Sequence, residues 1–288
     1  MTLLPLSRKP AELPAAPNRR LVLKPSDGAP KIDLAELWHY RDLLYFLTRR
    51  EIAIRYKQTL LGLAWAVLQP LLSMVVFSLF LGRLAGVSGG DLPYPVFCYL
   101  GLLPWTYFAN AMTRSSASLV GNANLLSKVY FPRLLIPLSA TLSALVDFAV
   151  AFVVLLGLMA WYHTPLSAAV LWLVPLTLAT AFLATGIGMG LAALNVQYRD
   201  VQHAIPFLMQ LWMFATPVVY PVDTVPERWR FLLDFNPMTG LIEAYRAAPV
   251  GEPIDIGSLA ISAVVGLTLV AIGVWRFRRM EKIFADVV

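Results

Sequence analysis

A sharp change of composition at Lys57 constrains this chain more than any other feature of its sequence. Arg49, Arg50, Arg55 and Lys57 lie within nine residues, and residues 58–82 then contain no Asp, Glu, Lys or Arg. Because a helix rises about 1.5 Å per residue, this stretch is long enough to cross a hydrocarbon layer of roughly 30 Å. The sequence therefore predicts a cationic segment joined directly to a transmembrane helix.

The composition extends this interpretation to a polytopic membrane protein. Hydrophobic residues make up 58% of the 288 residues and charged residues only 14%, which is too little polar surface to cover a water-soluble globule. Long unbroken apolar runs predict an all-α fold and exclude an outer-membrane barrel. The net charge of +6 lies beside these runs, which favours membrane lipids over nucleic acid as the partner.

Six transmembrane helices are predicted from charge-free length and loop chemistry. Their approximate bounds are 59–82, 95–113, 134–161, 166–194, 204–222 and 256–275, so residues 59–288 form a transmembrane domain. With an even number of spans, 19 of the 23 Lys and Arg residues fall on one side and four on the other. By the positive-inside rule, both termini are cytoplasmic.

Two segments precede the first span. Residues 1–33 contain six prolines and six Lys or Arg residues without a sustained period, and we expect a flexible basic tail. Residues 34–58 are predicted to form an amphipathic interface helix along the membrane face, with Asp33 as a candidate N-cap. Its apolar side consists of Leu37, Tyr40, Leu44 and Leu47. Its arginines either anchor the helix to lipid or contact the headgroup of a cargo.

The segment between spans five and six, residues 223–255, is too long for a simple loop. Two proline-led stretches, beginning at Pro226 and Pro237, predict two short helices within 226–248, because proline suits the first helical turn. We expect them to be re-entrant or to cap the outer face. A helical hairpin packed on the surface is the alternative.

Few residue patterns in the chain indicate covalent chemistry. His39, His163 and His203 stand singly, which argues against a metal centre, and no phosphate-binding Gly-x-x-x-x-Gly-Lys-Ser/Thr motif occurs. Asp147 is the only acid well inside a predicted span, so it is a candidate functional residue. The structural alternative is that Asp147, which lies near Ser139, Thr141 and Ser143, is hydrogen-bonded between helices or protonated. No catalytic, cofactor-binding or metal-binding residue is therefore assigned.

Aromatic residues crowd spans one, two and five. A lining of such rings could let a glycan slide past their faces, whereas interfacial belts and core packing are the alternative for each ring. The candidate lining residues are Trp65, Phe77, Tyr99, Trp105, Phe108, Trp212 and Tyr220.

The inner loop between spans two and three predicts a short helix over residues 122–131. Asn122 or Asn124 can cap it and Pro132 ends it. Its apolar residues offer a knob to a cytosolic partner.

Five motifs in order resemble the membrane subunits of type-2 ABC exporters for polysaccharides and polyol phosphates. The first is Arg-Glu-Ile-Ala-Ile-Arg-Tyr-Lys at 50–57 with Leu-Gly-Leu-Ala-Trp-Ala-Val-Leu-Gln-Pro at 61–70. Next is Lys-Val-Tyr-Phe-Pro-Arg-Leu-Leu-Ile-Pro-Leu-Ser at 128–139, followed by Asn-Val-Gln-Tyr-Arg-Asp-Val at 195–201. Thr-Pro-Val-Val-Tyr-Pro at 216–221 and Asn-Pro-Met-Thr-Gly-Leu-Ile-Glu-Ala-Tyr-Arg at 236–246 complete the set. The resemblance covers roughly residues 34–285.

The resemblance implies a homodimer that pairs with two copies of a separate ATPase in a bacterial inner membrane. ATP and Mg²⁺ are then bound by the ATPase, and the cargo is a lipid-linked glycan of O-antigen, capsule or teichoic-acid type. It implies that residues 122–131 are the coupling helix, seated on the ATPase through Asn122, Leu125, Leu126, Lys128 and Tyr130. It further implies a cytosolic entrance flanked by Arg49, Arg50, Arg55 and Lys57, and an outer gate at 226–248 with Trp229, Phe235 and Tyr245.

Two rivals remain at this point. One is a type-2 permease for a drug or small lipid. The other is a membrane-embedded enzyme that modifies lipid-linked sugars, for which the outer loops supply only scattered acids.

Overall fold

The computed structural model describes residues 34–57, 62, 64–281 and 284. The predicted tail at 1–33, the candidate cap Asp33 and the start of the first predicted span lie outside the described residues. The described part of the chain is built from helices and turns and contains no strand, in agreement with the predicted all-α class.

Eleven α-helices are present in the described residues, together with one π-helical and two 3₁₀ segments. The α-helices are α1 Leu34–His39, α2 Arg41–Tyr56, α3 Ala64–Phe77, α4 Tyr94–Gly121, α5 Ala123–Lys128, α6 Leu135–Trp161, α7 Leu173–Gln197, α8 Val201–Phe214, α9 Glu227–Asp234, α10 Thr239–Val250 and α11 Ile256–Met280. The π segment, Ser78–Leu84, extends α3, and the 3₁₀ segments are Ala168–Trp172 before α7 and Val222–Thr224 before α9.

Four stretches of the described chain are long and apolar enough to cross a membrane. They are Ala64–Leu84, Leu135–Trp161, Ala168–Gln197 and Ile256–Met280, which correspond to predicted spans one, three, four and six. The 28-residue α4 contains Arg114 and several serines, which lower its hydropathy. The 14-residue α8 is about 21 Å long, shorter than the hydrocarbon layer.

Helix α4 lies at the centre of the bundle, packed along α6 and α7. Most of its side chains are buried, including Tyr99, Phe108 and Met112. Helix α11 packs closely on α7 because both carry glycines at the contact: a Cβ on Gly190 would lie 2.8 Å from the Cα of Gly273. Glycines at a helix contact allow the two backbones to approach this closely.

The amphipathic segment is two helices, because the chain breaks at Tyr40 between α1 and α2. The predicted single helix over 34–58 is wrong in this respect, but its apolar side is confirmed. Leu47 is buried in a second core with Leu126 and Phe277, and Leu37, Tyr40 and Leu44 pack against that core. Helix α2 is thereby fixed to the ends of α6 and α11.

The outer segment contains the two short helices that the prolines indicated. Pro226 precedes α9, and α10 begins two residues after Pro237, so neither proline occupies the helical turn predicted for it. Helix α10 is largely buried against α4 and α11, whereas α9 is mostly exposed. A close approach requires Gly240 in α10, where a Cβ would lie 2.6 Å from the carbonyl oxygen of Ser258.

Candidate functional site

The carboxylate of Asp147 on α6 joins three helices. Arg55 and Tyr56, at the end of α2, donate hydrogen bonds to its two oxygens, and Arg114 Nη2 of α4 donates to Oδ2 at 3.1 Å. Burial, reinforced by the hydrogen bond to Asp147, raises the pKa of Tyr56, so the phenol remains a donor. Two guanidinium groups share one carboxylate, which leaves the site with excess positive charge.

The hydroxyls near Asp147 on the same helix are not its partners. Ser139, Thr141 and Ser143 donate to backbone carbonyls three or four residues earlier in α6, at 2.8, 3.2 and 2.8 Å. Hydroxyls in apolar helices commonly bond to their own backbone in this way. Asp147 is hydrogen-bonded in a network between helices, as the structural alternative predicted, and its partners are Arg55, Tyr56 and Arg114.

A cavity of about 150 Å³ lies beside this network. Arg55, Arg114 and Asn110 line it with polar groups, and Trp65 and Tyr107 contribute aromatic rings. Arg114 Nη1 and the Tyr107 hydroxyl are buried and have no hydrogen-bond partner among the described residues. The cavity can therefore accept an anionic or hydroxyl-rich group, because buried donors left unpaired are costly.

A second contact ties α2 to the junction of α4 and α5. Arg50 Nη2 donates to the Oδ1 of Asn122 and also pairs with Glu51 at 3.2 Å. The amide nitrogen of Asn122 donates to the carbonyl of Ser118 at 2.8 Å. Asn122 stands at the N-cap position of α5, but its side chain makes no cap hydrogen bond. The predicted capping role of Asn122 is therefore wrong, and its side chain instead holds Arg50.

The four predicted entrance residues thus occupy three different environments. Arg55 joins the Asp147 network, Arg50 bonds to Asn122, and Arg49 and Lys57 are exposed. The structure brings Arg55 together with Arg114, a residue that the sequence analysis did not single out for this role.

The predicted coupling helix is shorter than expected. Helix α5 ends at Lys128, and Val129 is already extended, so the helix does not reach residue 131. Leu126 is only 6% exposed and Leu125 packs against the same core, whereas Val129 and Tyr130 are 52% and 69% exposed. The exposed apolar tip is therefore formed by Val129 and Tyr130, next to the exposed Lys128, and Leu126 faces inward.

A family model described as ABC-2 type transporter matches residues 42–248. The chain belongs to the ABC-2 type transporter family. The matched segment begins in α2 and ends in α10, so it contains the whole Asp147 network, α5 and the outer helices.

The chain is also similar to bacterial proteins that are named for polysaccharide export or transport. An O-antigen export system permease protein, RfbA, from Myxococcus xanthus is 34% identical over 257 residues, which cover 85% of this chain and 96% of that protein. The RfbA protein of Klebsiella pneumoniae is 28% identical, covering 85% and 95%. The polysialic acid transport protein KpsM of Escherichia coli is 27% identical, covering 81% and 91%.

The candidate lining aromatic residues of this ABC-2 protein differ in how deeply they are buried. Tyr99, Trp105 and Phe108 are buried within the chain, and the Tyr99 hydroxyl donates to the Ala151 carbonyl at 3.0 Å. Trp212 is partly buried against Trp105 and Phe108, with its Nε1 donating to Asn236 at 3.1 Å. Among the other candidates, Trp65 is exposed and Phe77 and Tyr220 are half-buried.

The three candidate gate residues of the ABC-2 protein also differ in their exposure. Trp229 and Phe235 are exposed near α9. Tyr245 of α10 is fully buried, and its hydroxyl lies 2.7 Å from that of Thr177 on α7. Tyr245 therefore holds α10 to α7 in this conformation and does not present its ring at the surface.

A charged pocket of about 550 Å³ beside α10 was missed by the sequence analysis. Arg246 is buried in its wall, donates to the Val218 carbonyl at 2.6 Å and lies 3.8 Å from the centroid of the Phe97 ring. Burial raises the pKa of Glu243, which lines the same pocket. Across the described residues, no group of three or more His, Cys, Asp or Glu side chains could hold a metal ion.

Proposed function

We propose that this chain is the membrane permease of an ATP-driven exporter that moves a lipid-linked polysaccharide across the bacterial inner membrane. The cargo is of O-antigen, capsule or teichoic-acid type. The observation that carries the proposal is the 34% identity with an O-antigen export permease over 96% of that protein. Because these relatives are named as O-antigen export and polysialic acid transport proteins, the rival drug permease and sugar-modifying enzyme have less support.

The working unit proposed is a homodimer with two copies of a separate ATPase, which binds ATP and Mg²⁺. Support comes from the family match and from the lack of a phosphate-binding motif in this sequence. Each chain crosses the membrane six times, with α4 as the second span and α8 with the residues up to 222 as the fifth, and both termini are cytoplasmic.

The cytosolic entrance is proposed to lie at the Asp147 network. A diphosphate of an isoprenoid-linked glycan would meet Arg55 and Arg114 at the cavity after passing Arg49, Arg50 and Lys57. The excess positive charge and the unpaired Arg114 donor support this role, because one guanidinium group can donate to two phosphate oxygens at once.

Coupling is proposed to run from the exposed tip at Val129 and Tyr130 to α2. When ATP closes the ATPase dimer, α5 moves with it, and Arg50 carries the movement from Asn122 into α2. The spans then part around a pathway between the two protomers. Trp65, Phe77, Trp212 and Tyr220 are the aromatic residues best placed to line it, since they are not fully buried. The outer gate is proposed at α9 and α10 with Trp229 and Phe235.

The proposal is tested with proteoliposomes that contain the chain and its ATPase. An isoprenoid-diphosphate-linked glycan should stimulate ATP hydrolysis, and Arg50→Gln and Arg55→Gln should reduce this stimulation about tenfold without loss of assembly. Arg199→Gln, at an exposed turn between α7 and α8, is the matched control. Full stimulation of both variants, or equal stimulation by a small lipid without a diphosphate, would contradict the proposal.

A further inference from the structure

The carboxyl end of α11, which lies beyond the segment matched by the family model, forms a pocket with the end of α7. Its volume is about 470 Å³, and it is lined by Trp275, Arg276, Arg279, Met280 and Phe284 together with two residues at the end of α7, Val196 and Gln197. The lining thus combines two cations with an apolar wall in the angle between two helices that are each long enough to span the membrane.

The two arginines in this pocket have no acidic partner in the described chain. The neighbouring Glu281 is already paired with Arg278 at 2.8 Å, and its backbone carbonyl accepts from Arg133. Arg276 Nε is buried without a hydrogen-bond partner among the described residues. The guanidinium of Arg279 lies over the Trp275 ring, 5.4 Å from its centroid. The pocket therefore holds two positive charges that a bound anion would neutralise.

The surface that leads to the pocket is apolar and exposed. Residues four apart lie above one another on a helix, and one such row runs Leu267, Ala271, Trp275 and Arg279. The parallel row runs Val264, Thr268, Ile272 and Arg276. All members except the half-buried Arg276 are exposed. Each row spans about 18 Å and ends in a cation at the membrane surface.

We propose that this pocket binds one anionic phospholipid, with the phosphate between Arg276 and Arg279 and the acyl chains along the two rows of α11. An anionic headgroup matches the unpaired guanidinium groups, and hydrocarbon chains match the exposed rows that end there. A soluble phosphate compound would leave the rows uncovered. The lipid bridges the ends of α7 and α11 and adds to the glycine contact between these helices.

The test measures lipid binding to the purified full-length chain in detergent by native mass spectrometry, with phosphatidylglycerol as the probe and phosphatidylcholine as the neutral comparison. We expect one phosphatidylglycerol to bind in preference to phosphatidylcholine, and Arg276→Gln with Arg279→Gln to weaken binding roughly 30-fold. Arg228→Gln, which removes an exposed charge on α9 in the outer segment, should change binding less than about twofold.

Several outcomes overturn the proposal. An equal loss in the Arg228→Gln variant means that only diffuse charge attracts lipid. Displacement of the lipid by equimolar glycerol phosphate, or by the ATPase, means that the pocket binds a soluble anion or a protein. The paired substitutions Arg276→Lys and Arg279→Lys keep the charges and must keep most of the binding. If the glutamine pair does not fold, each single glutamine variant must still weaken binding relative to its lysine counterpart.

Discussion

Arg55 of α2 is paired with Asp147 of α6, 92 residues further along the chain. This pair fixes an amphipathic helix, which begins outside the spans, to a transmembrane helix. Arg114 of α4 meets the same carboxylate at 3.1 Å, so one acid holds three helices together.

Replacement of Asp147 by Asn should destabilise the protein by about 2 kcal/mol, because two partly buried guanidinium groups lose their counter-charge. Arg55→Gln should have a smaller effect, since Arg114 still neutralises the carboxylate. Thermal unfolding in detergent measures both changes. Ser139→Ala is the control on the same helix, and it should alter stability by less than about 0.5 kcal/mol. A similar loss in both α6 variants would show that the network adds nothing.

The exposed tip after α5 and the buried Leu126 should respond differently to truncation. Val129→Ala with Tyr130→Ala should leave the melting temperature unchanged and lower cargo-stimulated ATP hydrolysis severalfold, because only the contact with the partner is lost. Leu126→Ala should instead lower stability by about 2–4 kcal/mol, as it opens a cavity in the second core. Coupled turnover in the tip variant would remove the coupling assignment.

The contact between α7 and α11 should not tolerate a methyl group at Gly273. A Cβ there would meet the carbonyl oxygen of Gly186, which is backbone and cannot move aside. Gly273→Ala should therefore lower stability by at least about 2 kcal/mol. Gly157→Ala on α6, where a Cβ meets nothing within 4 Å, is the matched control. Thermal unfolding of the two variants measures the difference. Equal unfolding temperatures for Gly273→Ala and Gly157→Ala would contradict the close packing of α7 and α11.

The stability of the folded protein should depend on pH through Glu243, which lines the outer pocket. Burial raises the pKa of this carboxyl in the folded chain, so the folded state holds the proton more tightly than the unfolded state. Stability is then highest below the ordinary value of 4.5 and falls as the pH rises through the folded pKa.

Glu243→Gln removes this dependence and should be more stable than the natural chain at pH 7.5 but not at pH 4. Thermal unfolding at the two pH values measures the difference. The control is Glu227→Gln at an exposed position of α9. A glutamine variant that is less stable at pH 7.5 would show that the attraction between Glu243 and Arg246 outweighs burial.

Helices α6 and α11 were predictable because each apolar run is close to the length of its helix, whereas α4 continues to Gly121, eight residues past the predicted end of span two at 113. Predicted spans three and six begin within one residue of α6 and α11. The predicted span over 204–222 was less accurate, because the apolar run continues past Phe214, where α8 ends and Pro217 and Pro221 follow. Proline lacks a donor and cannot continue the backbone hydrogen bonds of the helix.

Side-chain partners were much less predictable, because they depend on contacts between distant parts of the chain. Asp147 was identified from its rarity, but nothing in the sequence linked it to Arg114, which follows predicted span two. Leu126 was expected at a partner surface because the family resemblance placed it on the coupling helix, whereas the second core covers it. The buried Arg246 was counted as an outer-loop charge, since nothing in its neighbours in sequence shows that Phe97 and Val218 enclose it.

Helix α4 connects the region of α5 with the outer pocket. Its 28 residues form a helix roughly 42 Å long. Asn122 lies at one end, and near the other end Gly101 is in close contact with Val218 and Arg246. Pro104 lies inside the helix close to that second end, where the missing backbone donor makes bending easier. A movement of α5 would be carried along α4 as far as Pro104, which is seven residues from Phe97 in the wall of the charged outer pocket.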